Sequence, residues 1–116
     1  MIVAITAKGA GLGAMLDDDF ASSRQFVIVD DDASFSALAN TFASDTSGAA
    51  FAKMIVATVH PLDAIVTRNI RAEALDILMR NGIAVYSADK GAVMDLADSA
   101  RAGELPLAAS THGSSS

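Results

Sequence analysis

The sequence predicts an α/β domain in which helices cover a mixed five-stranded sheet, and two observations point to this class. The second half of the chain alternates between helical and strand periodicity with short connections, a pattern typical of parallel strands joined by right-handed crossovers. The first half has a short apolar run at residues 2–6 followed by a predicted hairpin. A chain of 116 residues is about one domain, which we place at residues 1–107, with a disordered tail at 108–116.

Turn residues bound each predicted strand of the first half. Residues 2–6 form the apolar run of a central strand, and residues 25–29 (QFVIV) form the second strand. The aspartates at 30–32 carry too much charge to lie in a sheet, so they predict the turn of a hairpin. The third strand is predicted at 34–42, although this segment would also suit a helix. Its common face would contain Phe35, Ala37, Ala39 and Thr41.

Apolar residues at helical spacing and clear stop signals define the second half. Proline disfavours helix at the residue before it, so His60-Pro61 ends the first helix. Asn69 is expected to cap the second helix and Gly82 to close it. The predicted elements are a helix at 48–59, a strand at 64–66, a helix between 69 and 82, a strand at 83–86 and a helix at 91–102.

The composition excludes several classes of function. With no cysteine, the chain has no disulfides, no thiolate nucleophile and no cysteine-ligated zinc or iron–sulfur site. A net charge of −6 repels nucleic acid over most of the surface. No apolar run approaches the roughly 18 residues of a membrane helix. Since the chain opens on a strand without a signal-peptide pattern, we expect a cytoplasmic protein that binds neither nucleic acid nor membrane.

No arrangement typical of catalytic residues is present. Two-metal nucleases need carboxylates projecting from strands, whereas the acidic runs at 17–19 and 30–32 are consecutive residues that point in different directions. No carboxylate lies within residues 2–6, and His60 is the single histidine before the tail. We therefore expect a protein that is not an enzyme, with a magnesium-dependent hydrolase as an alternative to be tested.

Three segments resemble the dinitrogenase iron–molybdenum cofactor biosynthesis family. They are residues 19–30 (DFASSRQFVIVD), residues 63–70 (DAIVTRNI), and residues 81–86 (NGIAVY) together with 91–105. The similarity follows the family's order over residues 1–107. It implies the family's ribonuclease H-like three-layer sandwich, with strand order 3-2-1-4-5 and an antiparallel second strand.

The same resemblance implies a function. The family contains carriers or scaffolds for metal–sulfide clusters, including small members similar to the orange protein, which hold a molybdenum–copper sulfide cluster without cysteine ligands. The implied ligand is a molybdenum-containing cluster, Mo–Cu–S or Fe–Mo–S, held non-covalently, and cofactor-assembly or client proteins are the implied partners. The alternative is a regulatory or protein-interaction module that has kept the fold and lost the ligand.

The candidate binding residues follow from where an anion would sit. In open α/β sheets, ligands lie outside the carboxyl ends of the parallel strands, and residues 67–71 lie at such an end and open a helix. Arg68 and Arg71 stand where the family has glycines, so they would add positive charge, unless both are solvated residues of the helix start. The candidate set is Lys8, Arg24, Gly48, Thr67, Arg68, Asn69 and Arg71.

Several candidates have a second interpretation. Arg24 either faces the crevice bounded by residues 7–24, Gly48 and 67–71, or neutralises the aspartates at 17–19. Lys8 lies at the ligand edge or is solvated, and Gly48 admits a ligand or starts a helix.

The loop at 7–24 contains GAGLG but lacks the third glycine of a dinucleotide fingerprint, so we expect a flexible loop, whose mobility could serve as a lid over the crevice. His60 is expected at the opposite edge, where a histidine also suits a helix C-terminus, so we assign no metal ligand to it or to His112.

Overall fold

The computed structural model describes residues 1–109. They form a five-stranded sheet of order β3-β2-β1-β4-β5 with helices on both faces, which confirms the predicted fold class and strand order. The strands are β1 (Val3–Ala7), β2 (Gln25–Val29), β3 (Phe35–Ala39), β4 (Ala64–Thr67) and β5 (Ala84–Ser87). The helices are α1 (Ala49–Thr58), α2 (Ala72–Arg80) and α3 (Val93–Arg101).

Strand directions bring several loops to one edge of the sheet. β1 pairs in parallel with β4, and β4 with β5, so these three strands end on the same side. β2 is antiparallel to β1, with Gln25 opposite Ala7, so β2 begins where β1 ends. We call this side the carboxyl edge.

Two hydrophobic cores flank the sheet. On one face α1 and α2 enclose three aromatic rings, in which Phe51 lies 5.0 Å from Phe20 and 5.6 Å from Phe26 between ring centroids. On the other face α3 packs Leu96 and Ala97 against the sheet. Small side chains let both helix layers approach the strands closely.

β3 is shorter than the predicted strand because Asn40 turns the chain. Its side-chain amide donates to the carbonyls of Ala21 and Ser23, both at 2.9 Å, and its oxygen accepts the Phe42 N–H at 2.8 Å. The remaining apolar residues of the predicted face lie on the α3 side, but they are exposed, since α3 packs on β1, β2 and β4 instead.

The predicted N-cap of α2 is wrong. The cap position is Arg71, which makes no side-chain cap hydrogen bond. Asn69 instead donates its side-chain amide to the carbonyl of Asp18 at 2.7 Å, so it ties two loops together.

Asp45 organises the turn that leads into α1. Its carboxylate accepts the Ala50 N–H at 2.9 Å and the Ser47 hydroxyl at 2.8 Å. These bonds, with that to Ala50 the strongest, hold the pKa of Asp45 below its usual value, because they stabilise the charged form.

The C-terminal segment covers the β5 side of the sheet. Ser87 donates its N–H to the Pro106 carbonyl at 2.9 Å, and Ala108 donates to Val85 at 2.8 Å. The described chain is therefore bonded to β5 as far as Ala108, while residues 110–116 of the predicted tail lie outside the described residues. Within residues 1–109 no helix has the length and apolarity to cross a bilayer.

Substituting alanine at two glycines distinguishes the energetic cost of a left-handed backbone conformation from the cost of crowding neighbouring side chains. Gly48 and Gly82 have φ values of 76° and 77°, but a Cβ on Gly48 would meet Phe20 at 3.0 Å, whereas one on Gly82 meets nothing within 4 Å. We expect Gly82→Ala to cost about 1 kcal/mol, and Gly48→Ala about 2–3 kcal/mol because neighbouring side chains must shift. Urea unfolding measures both free energies, and equal losses would contradict the packing argument.

Candidate functional site

Five of the eight basic residues lie at the carboxyl edge. Lys8 follows β1, Arg68 follows β4, and Lys90 lies in the loop after β5. Arg24 precedes β2, which begins at this edge, and Arg71 is the N-cap of α2. All five are exposed. The topology thus gathers most of the positive charge of an acidic chain on one side.

The loop after β1 crosses this edge from one core to the other. Leu16 is buried in the core beneath α3, and its N–H donates to the Gly91 carbonyl at 2.9 Å. Phe20 is buried in the opposite core, and its N–H donates to the Asn69 carbonyl at 2.8 Å. Between them, Asp17 donates its N–H to the Thr6 carbonyl at 2.9 Å. The loop is therefore anchored on both sides of the sheet.

Asp17 fixes this crossing with its carboxylate. The side chain is only 7% exposed, and its two oxygens accept the N–H groups of Asp18 at 2.9 Å and Arg24 at 3.0 Å. The start of β2 is thus held against the loop by backbone contacts. Among residues 1–109 the guanidinium of Arg24 makes no ion pair, so it does not neutralise the aspartates at 17–19 by direct pairing, and it stays available at this edge.

Asp18 and Arg68 form an ion pair at the surface. Arg68 Nη1 lies 3.1 Å from Asp18 Oδ1, with the side chains 46% and 70% exposed. Exposed pairs of this kind stabilise by only about 0–1 kcal/mol, so the pair can open at small cost. The ion pair keeps Arg68 near the loop that crosses the edge, but its guanidinium can still contact a ligand.

Thr67 supports the edge from within. It is fully buried, and its hydroxyl accepts a hydrogen bond from the Thr6 hydroxyl at 2.9 Å. Its carbonyl accepts the Ala88 N–H at 3.2 Å. The side chain of this predicted site residue therefore faces the protein interior.

The crevice predicted between residues 7–24, Gly48 and 67–71 is filled by the protein where it meets Gly48. The position of a Cβ on Gly48 lies 3.0 Å from the Phe20 ring, 3.2 Å from Ala74 and 3.3 Å from Ala21. Gly48 is the N-cap of α1, as the second interpretation held, and neighbouring side chains fill the space beside it. The predicted lid is limited to residues 9–11, since Leu12 and Ala14 accept N–H groups at the start of α3 and residues 15–20 are bonded to neighbouring loops.

Four hollows found in the described chain lie away from the cations. Their volumes run from about 110 to about 530 Å³, and none is lined by Lys8, Arg24, Arg68, Arg71 or Lys90. His60 lines two of them beside Val59, at the end of α1 opposite the carboxyl edge, where it was predicted to lie. A ligand of the carboxyl edge would therefore sit on a surface.

Sequence reasoning missed Lys90 and two methionines at this edge. The sequence could have placed Lys90 at this edge, because the loop that follows any strand parallel to β4 begins at the carboxyl edge. Met15 forms an isolated bridge with Ala92, and Met94 donates its N–H to the Leu12 carbonyl at 3.0 Å. The two methionines are 49% and 46% exposed, which adds soft thioether side chains to the surface of this edge.

The donor set argues for binding by charge. Among the residues that the structure describes, no three His, Asp or Glu side chains gather so that they could hold a metal ion, and the sequence has no cysteine. An anionic group fits this edge through cations and N–H groups, whereas direct ligation of a bare metal ion does not.

The Asp17 crossing can be tested against its neighbour Asp19. Asp17→Ala leaves two N–H groups without acceptors, so we expect a loss of about 2–3 kcal/mol in the free energy of unfolding. Asp19 accepts no hydrogen bond from the described residues, so Asp19→Ala should change stability by less than about 0.5 kcal/mol. Urea unfolding compares the two, and similar values would show that the Asp17 bonds do not hold the loop.

Several solved structures resemble the chain, among them these three. The apo form of the orange protein from Desulfovibrio gigas has 24% identity and a TM-score of 0.81, over 94% of this chain and 93% of that one. A Thermotoga protein assigned to NifB has 25% identity and a TM-score of 0.78, over 97% and 98%. A protein of Methanocaldococcus jannaschii assigned as a dinitrogenase has 22% identity and a TM-score of 0.62, over 95% and 96%.

These likenesses support the fold, and a family model supplies the relationship. No curated protein sequence matches the chain significantly. The model of the dinitrogenase iron–molybdenum cofactor family matches residues 1–103, which is most of the chain. The protein therefore belongs to the dinitrogenase iron–molybdenum cofactor family.

Proposed function

We propose that the protein is a non-enzymatic binding protein that holds an anionic metal–sulfide cluster on its carboxyl edge. The cluster would contain molybdenum with iron or copper, and it would be cargo shared with cofactor-assembly or client proteins. The observation that carries this proposal is the gathering of five exposed cations at one edge of a protein with net charge −6. Family membership supports the choice of cargo.

The cations of this edge are largely uncommitted. Of the five, Arg68 alone forms an ion pair with the described residues; Lys8, Arg24, Arg71 and Lys90 form none. A multiply charged anion would be attracted to several of them at once. Because exposed charges are screened by salt, binding of this kind should weaken as ionic strength rises.

Backbone N–H groups at the start of α2 can donate hydrogen bonds to the anion, whereas those at the start of α3 cannot. The first N–H groups of α3 are occupied, since Val93 donates to Ala14 and Met94 to Leu12. α2 begins beside Arg71 without a side-chain cap, and no described acceptor bonds the N–H groups of its exposed first residues Ala72 and Glu73, which leaves them open to a ligand. We therefore place the cluster nearer to the start of α2, between Arg68 and Arg71.

Asp18 would compete with the cargo for Arg68. The carboxylate already lies 3.1 Å from the guanidinium, so an incoming anion must displace it or share the cation. Because of this competition, removing the charge of Asp18 should raise the affinity for the cluster, whereas removing that of Arg68 should lower it. A purely structural ion pair would not produce that pattern.

Uptake of tetrathiomolybdate tests the proposal directly. The purified full chain is incubated without oxygen with tetrathiomolybdate, alone and with copper(I), then desalted. We expect a coloured protein that retains stoichiometric molybdenum, measured by metal analysis and by the absorption spectrum. Retention should fall as salt is raised before desalting.

Variants of the Arg68 pair sharpen the test. Arg68→Ala with Arg71→Ala should lower affinity about tenfold, since two cations are lost, whereas Asp18→Asn should raise it about two- to fivefold. Arg80→Ala is the matched control, because Arg80 lies at the far end of α2 and pairs with Asp76 at 3.0 Å. Its affinity should equal that of the unchanged protein.

Two results would overturn the proposal. Colourless protein without molybdenum under both conditions would favour the module that has lost its ligand. Uptake that responds equally to Arg68→Ala and Arg80→Ala would place the binding elsewhere on the chain.

A further inference from the structure

The two edge strands of the sheet, β5 and β3, differ in whether other residues cover their outer side. Residues 106–108 cover β5 through two backbone hydrogen bonds and a bridge between Tyr86 and Leu107. No described residue pairs with the outer side of β3. An uncovered strand edge is a template for pairing with another chain, and proteins usually block it with charge, proline or a bulge. β3 has none of these devices.

The direction of the free backbone groups follows from the hairpin. Asp30 donates its N–H to the Ser34 carbonyl at 2.8 Å, and Asn40 donates to Arg24 at 3.2 Å, so even-numbered residues of β3 bond inward to β2. Because the pattern alternates along an antiparallel pair, the odd-numbered residues present their N–H and C=O groups to the open side. These are Phe35, Ala37 and Ala39.

We propose that β3 pairs antiparallel with β3 of a second copy of this chain, across a two-fold axis at Ala37. In this register Ala37 lies opposite the partner's Ala37, and Phe35 opposite the partner's Ala39. Three pairs then exchange both backbone hydrogen bonds, and the two sheets join into one of ten strands. Any other two-fold register uses fewer of the outward residues.

Side chains on both faces suit this pairing. Phe35, which is 48% exposed, shares a face with Ala37 and Ala39, so its ring would lie over small partner side chains. On the other face the partner's Leu38 would lie beside Ser36. It would then lie beside a hollow of about 420 Å³ whose lining includes Ser36, Ile28 and Val59.

Charge favours a second copy at this edge. Residues 33–44 carry no charged side chain, so two acidic chains can meet here without direct repulsion. The two-fold axis keeps the acidic turns at 30–32 apart, one at each end of the joined strands. Each turn lies next to the partner's uncharged residues 40–44 and within one strand of the partner's Arg24. The two carboxyl edges face opposite ways, so pairing is independent of cluster binding.

A strand this short buries less than about 1,000 Å², so the dimer should be weak, with a dissociation constant between about 10 μM and 1 mM. Sedimentation equilibrium of the full chain over this range should show a monomer–dimer equilibrium. Ala37→Pro should abolish it, because the lost N–H points outward and the bonds to β2 remain. Ala37→Val, which keeps the N–H, should leave it intact.

Amide hydrogen exchange on the unchanged protein gives a second measurement. The N–H groups of Phe35, Ala37 and Ala39 should gain protection as concentration rises, while those of Ser36 and Leu38 should not change. A monomer up to about 1 mM would overturn the proposal. So would a dimer that survives Ala37→Pro, concentration-dependent protection outside β3, or protection that appears only when a different protein is added.

Discussion

Asp17 lies where the loop after β1 passes from one face of the sheet to the other, and its carboxylate holds that crossing in place. Leu16 enters the core beneath α3, and Phe20 enters the core beneath α1 and α2. A buried carboxylate is costly unless its oxygens are paired, and both oxygens of Asp17 accept backbone N–H groups. The same two bonds position Asp18 and Arg24, so the arrangement of the charged edge depends on this crossing.

Filling of the crevice by Phe20 changes how a ligand can be held. A pocket gains affinity by enclosing its ligand, whereas this edge offers an open surface of cations and helix N–H groups. Such a surface favours ligands that carry high charge in a small volume, since they contact several donors at once. Under the proposed function, such a surface would release its ligand readily when a competing anion or higher salt is present.

Local signals in the sequence predicted the elements well, and long-range packing accounts for the errors. β2 has the predicted bounds, because the residues next to its apolar run signal where the strand begins and ends. Asn69 has the chemistry of an N-cap, but its partner is Asp18, a contact across 51 positions that no local pattern reveals. The burial of Phe20 against Gly48 is of the same kind. Lys90 was different, since strand direction alone would have placed it at the carboxyl edge.

The cations at the two ends of the sheet differ in how far the protein itself uses them. Arg101 is only 24% exposed, and it donates to the carbonyls of Val29, Asp30 and Met1, which ties the end of α3 to the acidic turn. The donors of Arg101 are therefore used in hydrogen bonds within the protein. At the carboxyl edge the described residues leave four cations without ion pairs and one in an exposed pair. In a chain with fourteen acidic residues, partners for these cations could have been supplied internally. Asp19, Glu73 and Asp89 lie in the same loops or at the start of α2, but among the described residues none of them pairs with these four cations. The positive charge therefore stays available, which is the condition that binding an external anion requires.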